Sequence, residues 1–300
     1  MQRRKFIKET GMVAIGIGVL GNVVWSKDRF IGDTPTTTDI LGPFYRPGAP
    51  VRDNIIPKGA KVDILQLSGT IFKADGKTPY KDCLIEIWQC SPDGIYDNTS
   101  DDYKFRGAQK TGPNGKYHFI AMHPIPYPSS TDSKAWRPAH IHLLISGKSQ
   151  QDLITQIYLE GDPYLQKDIA SASRNAIHRI LKITRNSRNE ESIHFDIVMT
   201  KEFKPDNSIF EKLSGVYEMN DKSAMEFYRK GDLLFIKWNS QIREGLSYKG
   251  NNTFSGGVDN LTTATFQLQT NNDVKVKINL KTINRGEFYL EGIKTFKYRN

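Results

Sequence analysis

The sequence predicts an all-β protein, a β-sandwich core followed by a second, smaller all-β C-terminal domain. Apolar, β-branched runs recur at Ile64–Phe72, Cys83–Gln89, Tyr117–Ala121, Ile141–Ser146, Ile154–Leu159 and Ile193–Met199. Asp75-Gly76, Asp93-Gly94 and Asn114-Gly115 punctuate them, dipeptides suited to tight turns because glycine accepts positive φ. Helical patterning is confined to Ile169–Ile183. Short strands joined by long loops pack most simply as two facing sheets.

Taken in order, the chain begins with an address. Arg3-Arg4-Lys5-Phe6-Ile7-Lys8 precedes a Gly-rich apolar stretch from Gly11 to Trp25, which reads as a twin-arginine-like export signal over residues 1–30. That stretch falls short of the ~20 residues a membrane span needs. No stable membrane span is expected unless the signal stays uncleaved, and no small-x-small cleavage site follows Trp25. The absence of a cysteine at its end argues against a bacterial lipoprotein, leaving a periplasmic or extracellular destination as the expectation. Residues 31–60, rich in Pro, Gly and Thr, form an extended lead-in, and the sandwich occupies 31–205. Thr184–Ser192 is polar and reads as a loop. After Phe203-Lys204-Pro205-Asp206-Asn207 the texture changes. Residues 208–300 contain no histidine or cysteine, and short strands at Gly215–Met219, Leu233–Trp238, Val274–Leu280 and Glu287–Leu290 predict a meander or small barrel of accessory role.

Composition narrows the class. With 38% hydrophobic and 25% charged residues the chain has ample material for a core, and its negative mean hydropathy of -0.52 excludes a polytopic membrane protein. The net charge of +9 is concentrated at the front: residues 1–30 hold six basic and two acidic residues. No dense Lys/Arg run follows, so nucleic acid is not an expected partner. Cys83 and Cys90 lie in one predicted strand at an odd separation, on opposite faces and too far apart for a disulfide. They read as small buried apolar residues.

Candidate chemistry lies between Tyr96 and Gln156. In Trp136-Arg137-Pro138-Ala139-His140-Ile141-His142, strand geometry puts His140 and His142 on one face, where two imidazoles can reach one metal. Alone, a His-x-His pair in a strand is as consistent with a structural role. His118, His123, His178 and His194 lack such a partner and read as surface or satisfied core residues. No Asp or Glu stands beside the pair and the cysteines are poorly placed, which disfavours a thiolate zinc site and gives no signature of two histidines plus a carboxylate. Two tyrosines are suggestively placed. Tyr96 follows the Asp93-Gly94 turn, and Tyr127 sits in the proline-stiffened His123-Pro124-Ile125-Pro126-Tyr127-Pro128.

Four strings in order carry a family resemblance: Leu41-Gly42-Pro43-Phe44-Tyr45; Ile85-Glu86-Ile87-Trp88-Gln89 with Gly94-Ile95-Tyr96; Tyr127-Pro128; and Trp136-Arg137-Pro138-Ala139-His140-Ile141-His142. Thr155-Gln156-Ile157-Tyr158 and Gly161-Asp162 continue it. Over roughly residues 35–200 the chain resembles the intradiol ring-cleavage dioxygenases, in particular the protocatechuate 3,4-dioxygenase type. The resemblance implies a non-haem Fe(III) held by Tyr96, Tyr127, His140 and His142, with Arg137 and Gln156 beside the substrate and Tyr127 also accepting a proton. It implies a catechol-type substrate and O2, giving a muconate-type diacid, in a self-sufficient monomer or homo-oligomer. The loop at Ile125-Pro126 lacks an expected glycine, and Ser129 replaces an aromatic residue common in protocatechuate enzymes, so a different pocket wall is expected. The long helical linker region of catechol 1,2-dioxygenases is missing ahead of the core. Two other readings are an exported, non-catalytic β-sandwich binding or adhesion module, and a zinc or copper enzyme using His140 and His142.

Overall fold

The structure is a computed structural model that describes residues 35–129, 135–270, 273–282 and 286–296, together with the backbone of a short hairpin, Val23–Ser26 with Arg29–Gly32. The expected export signal, residues 1–30, lies outside the described residues apart from that hairpin backbone. Among the described residues no helix is long and apolar enough to cross a membrane.

Seven principal strands build the sandwich: β1 (Ile64–Phe72), β2 (Leu84–Trp88), β3 (Arg106–Lys110), β4 (Lys116–Met122), β5 (His140–Ser146), β6 (Leu153–Leu159) and β7 (Glu191–His194). One sheet runs from the short Ile180–Leu181 strand through β6, β5 and β2 to β3; the other centres on β1, flanked by β4 and β7. Period-2 side-chain alternation decides what each face does. On β5, Ile141, Leu143 and Ile145 enter the core between the sheets, against Leu65, Leu67 and Phe119 of β1 and β4. His140, His142 and Leu144 therefore point to the opposite face of the same sheet. That face is covered too, since His140 to Ile145 and all of β6 are buried.

The C-terminal unit provides part of the cover. After α1 (Asn207–Leu213), eight antiparallel strands follow in sequence: β8 (Gly215–Met219), β9 (Ala224–Lys230), β10 (Leu233–Trp238), β11 (Gln241–Gly250), β12 (Thr253–Gly256), β13 (Thr262–Leu268), β14 (Val274–Thr282) and β15 (Gly286–Phe296). β15 pairs back onto β8 and closes a barrel. Its interior is packed by Phe227, Phe254, Phe266 and their neighbours, with Phe210 and Leu213 of α1. Leu233 and Phe235 of β10 pack in one buried cluster with Leu144, Ile154, Trp88 and Tyr96 of the sandwich. Close approach requires Gly245: a Cβ there would lie 2.5 Å from Ile154 Cδ1. The lead-in is clamped between the two units, with Leu41 N donating to Glu244 Oε1 at 3.1 Å and Thr38 Oγ1 donating to Gly257 O at 2.9 Å.

Two local expectations are corrected, and one strand had no counterpart among them. Ile169–Ile183 forms one short 3-10 turn, Arg174–Arg179, running into the Ile180–Leu181 strand; its apolar residues are pulled towards β6 by sheet pairing. Thr184–Ser192 contains strand residues, because Thr184–Arg185 pairs with β7. β3, reading Arg-Gly-Ala-Gln-Lys, carries no apolar alternation; backbone pairing with β2 makes it a strand. Cys83 and Cys90 are free and buried in different clusters on opposite faces of the sheet.

Two predictions follow from the junction. Gly245→Val should cost about 1–3 kcal/mol through overpacking against Ile154, read as a lowered thermal unfolding midpoint. An unchanged midpoint would mean the two units do not touch there. Burial pushes Asp152 up to about 7 and Glu244 up to about 8, each above its unfolded value. The neutral acids are the folded state's preferred forms, so their contribution is full below about pH 4 and declines as pH rises through 7–8. Glu244→Gln should flatten that decline in a stability profile over pH 4–9.

Candidate metal centre

His140 and His142 stand on the outer face of β5, opposite Tyr158 and Gln156 of β6 in register. Trp88, the register partner of His142 on β2, stacks on its imidazole with ring centroids 4.9 Å apart. The two tyrosines arrive from loops. Gly94 takes φ +73°, and a Cβ there would lie 2.9 Å from Tyr127 Cβ, so the turn before Tyr96 needs glycine to let the loops meet. Phe44 of the lead-in stacks on Tyr96 at 4.5 Å. Tyr127–Pro128 pairs with Trp136–Arg137, which puts Tyr127 opposite Arg137 in register.

These elements bring four polar atoms together. Tyr96 Oη lies 3.2 Å from Tyr127 Oη, 3.3 Å from His140 Nε2 and 3.1 Å from His142 Nε2. Tyr127 Oη is 3.3 Å from His140 Nε2, and the two Nε2 atoms are 3.2 Å apart. His140 Nδ1 is 2.6 Å from Pro138 O, so it carries the ring proton and turns the Nε2 lone pair inward. At most three protons, two phenolic and one on His142, are then available for five close contacts. Hydrogen bonding alone leaves the cluster under-supplied. These are five of the six edges of a tetrahedron, and a regular one of that edge length has its centre about 2 Å from each vertex, the length of a metal bond to nitrogen or oxygen. The donor set therefore fits a cation. Among the described residues no group of three His, Cys, Asp or Glu converges on one point, so a carboxylate- or thiolate-based alternative is not present there.

Electrostatics favour the ligating forms. Burial, aided by Arg137, holds both imidazoles neutral, well below the ordinary histidine range; for His142 the neighbouring His140 adds to the effect. Burial also pushes both phenols up, Tyr96 far above its usual value and Tyr127 to about 12, with Arg137 opposing the rise at each. Only a nearby positive charge can make phenolates of them, and Tyr127 is the easier to ionise.

Arg137 is itself buried. Its Nε lies 2.8 Å from Asp168 Oδ2, and its Nη2 donates to Gln156 Oε1 at 2.8 Å. Burial works against its charge, but Asp168, with Tyr127, Tyr158 and Asp39 nearby, outweighs burial and holds the guanidinium firmly protonated. Gln156 is fully engaged behind it, accepting also from Tyr158 Oη at 3.1 Å and donating to Ile40 O at 2.6 Å. Tyr158 donates to Asp39 Oδ2 at 2.8 Å, and Arg179 pairs with that same carboxylate. Asp168, Asp39 and Arg179 were not visible as site residues in the sequence. The one available signal was that a buried arginine must have an acid partner.

A cavity of about 300 Å³ opens on the cluster. Tyr127 and Arg137 line it; Tyr96, Gln156 and the histidines do not. Gln156, expected beside the substrate, is instead placed behind Arg137. The far wall comes from the barrel, through Trp238, Asn239, Arg243, Glu244, Lys281 and Phe288. The remaining histidines lie elsewhere: His118 meets Gln66, His123 meets Glu191, His194 meets Asp196, and His178 is exposed.

A family model described as "Dioxygenase" matches residues 40–201, ending before the barrel. A chlorocatechol 1,2-dioxygenase of Rhodococcus opacus is 32% identical over 163 residues, covering 47% of this chain and 63% of that protein. Catechol 1,2-dioxygenase 1 of Acinetobacter lwoffii is 34% identical over 170 residues, covering 49% and 52%. Among solved structures, the catechol 1,2 dioxygenase of Acinetobacter radioresistens aligns with a TM-score of 0.51 at 26% identity, over 57% of this chain and 65% of that one. The chain thus spans between half and two thirds of the length of these curated relatives.

Three substitutions test the geometry. His140→Ala or His142→Ala should abolish stoichiometric metal in the purified protein, measured by elemental analysis; full retention would contradict the assigned donors. Asp168→Asn should destabilise the chain by about 3–5 kcal/mol, because it leaves the Arg137 charge buried without its counter-ion. An unfolding midpoint equal to the parent's would show the pair to be dispensable.

Proposed function

The chain belongs to the intradiol ring-cleavage dioxygenase family, and we propose that it opens a catechol-type ring between its two hydroxyl-bearing carbons, both atoms of O2 entering a muconate-type diacid. The observation that carries this reading is the convergence of two phenols and two neutral imidazoles at 3.1–3.3 Å beside a cavity floored by Tyr127 and Arg137.

In this reading Tyr96, Tyr127, His140 and His142 hold a non-haem ferric ion. Hard phenolate oxygens favour the trivalent state, and neutral imidazoles keep the net charge low. Such an ion, when bound, supplies Lewis acidity that acidifies a catechol's hydroxyls and tunes its ring for reaction with O2.

The protein's own residues do the rest. Tyr127 faces the cavity, and its Oη is placed to accept a proton from the arriving diol. Arg137 presents a permanent positive charge to the same cavity, stabilising negative charge that develops on the ring during attack. Gln156 and Asp168 position that guanidinium rather than touching the substrate. Phe44, Pro43 and Ile40 line the entrance from the lead-in and exclude water from one side. All four donors come from one chain, which supports a self-sufficient enzyme as monomer or homo-oligomer. The Arg3-Arg4 segment with the apolar Gly11–Trp25 stretch supports export to the periplasm or beyond, and loss of export of a fused reporter on Arg3→Lys/Arg4→Lys substitution tests it.

The test of activity is a visible spectrum of the purified chain followed by anaerobic titration with catechol and then oxygen. A charge-transfer band that shifts on catechol addition and returns to its starting form as ring-opened product appears is expected. A colourless, inactive, metal-replete protein would refute the reading. Tyr127→Phe should weaken the band and lower turnover by about 10²–10⁴, the range for loss of a positioned proton acceptor; undiminished colour and rate would move the ligand assignment elsewhere.

A further inference from the structure

A metal-bound imidazole is ordinarily oriented through its second nitrogen, which donates to a carbonyl or a carboxylate. His140 follows that rule, with Nδ1 2.6 Å from Pro138 O. His142 does not. With Nε2 turned into the donor cluster its ring proton stands on Nδ1, and that buried nitrogen meets no acceptor among the described residues. Surfaces hold the ring instead. Trp88 lies flat against it, with 4.9 Å between centroids and 9° between planes, and Tyr96 meets it edge-on at 5.8 Å. Gly42 of the lead-in closes on the rim, where a Cβ would lie 3.4 Å from His142 Cε1.

The orientation of His142 therefore passes to Trp88, which has no polar anchor of its own. Its buried indole N–H also meets no acceptor among the described residues. Trp88 is seated by Tyr45, whose ring centroid lies 5.1 Å away. Tyr45 is the first of this series to have its polar atom fixed. Its Oη donates to Glu86 Oε2 at 3.2 Å and accepts from Lys230 Nζ, which also stands 4.8 Å from the ring centroid. Burial and Glu86 push the Tyr45 phenol up, so it keeps the proton it donates. Phe235 stacks with the same ring at 5.9 Å. Glu86 belongs to β2, but Lys230 ends β9 and Phe235 lies on β10. Both are barrel residues, beyond position 201 where the family match ends.

We propose that the barrel positions a metal ligand: Lys230 and Phe235 fix Tyr45, Tyr45 seats Trp88, and the Trp88 stack orients His142 in place of a hydrogen bond. Lys230 is then a positioning residue, acting on the centre through two aromatic rings without touching it. The proposal rests on the reading of Tyr96, Tyr127, His140 and His142 as metal donors, and needs neither the identity of the metal nor the reaction. A flat stack resists tilting of the imidazole. Loosening Tyr45 lets the indole tilt and His142 with it, which turns Nε2 away from the point the four donors share. A close-packed interior transmits such a shift because it has no void to absorb it.

The test is the EDTA concentration that strips half of the metal from the purified full chain at equilibrium, with retained metal counted by elemental analysis. Lys230→Met keeps the length of the side chain and removes the donor. It should lower that concentration about tenfold, the scale for losing an outer partner of a ligating histidine, and Lys230→Arg should restore it. Trp88→Leu should lower it likewise. Lys230→Met added to Trp88→Leu should then change it by less than about twofold, because both act along one line of contacts. Independent destabilisation would instead multiply the two effects. Parent-like retention in Lys230→Met, or full multiplication in the double variant, would overturn the proposal. Should Lys230→Met fail to fold, Phe235→Leu enters the same cycle with the same expected outcomes. A parent chain that holds another metal at these donors and cleaves no catechol would sink the ring-cleavage reading, while the cycle still judges this proposal. A parent that holds no metal there would sink both.

Discussion

Strand β5 has no solvent face, and the rest of the molecule follows from that constraint. Its odd-numbered residues form the sandwich core, and its even-numbered residues form the donor cluster and the seat of the barrel. A one-residue slip would send Ile141 into the cluster and both imidazoles into the core, so the pairing of β5 with β2 and β6 fixes the chemistry as firmly as the fold. Covering the second face is equally obligatory, because Leu144 and Ile154 would otherwise face water. The barrel supplies that cover and thereby becomes part of the site's architecture.

One buried charge organises the electrostatics. Arg137 lowers the proton affinity of Tyr96, Tyr127, His140 and His142 alike, which for phenols means towards phenolate and for imidazoles means towards the neutral ring. Those are the protonation states in which all four atoms can act as ligands. The guanidinium can stay charged in the interior because Asp168 neutralises it and Gln156 takes a second edge, while Asp39 and Arg179 brace the network from behind. A single residue thus prepares the donors and lines the cavity they open on.

Much of this was legible in the chain itself. Apolar alternation marked β1 to its ends, and Trp136-Arg137-Pro138-Ala139-His140-Ile141-His142 identified the strand that carries the imidazoles. The tyrosines were harder, since each sits in a loop where sequence reports flexibility and not destination; the meeting of Tyr96 and Tyr127 depends on Gly94 and on the Tyr127–Arg137 pairing. β3 was hidden because its Arg-Gly-Ala-Gln-Lys residues gain their strand conformation from β2. The barrel's contribution to the cavity was hidden for a different reason. Lys281 and Trp238 are more than eighty residues from the cluster, and nothing local distinguishes a lysine facing a pocket from one facing water.

Anomalous diffraction from crystals of the native, full-length chain, collected on either side of the iron absorption edge, tests the central claim most directly. The account predicts one strong iron peak enclosed by Tyr96 Oη, Tyr127 Oη, His140 Nε2 and His142 Nε2, at bonding distance from each. Well-ordered density for those four side chains with no anomalous peak between them, or an iron peak bound elsewhere, would contradict it.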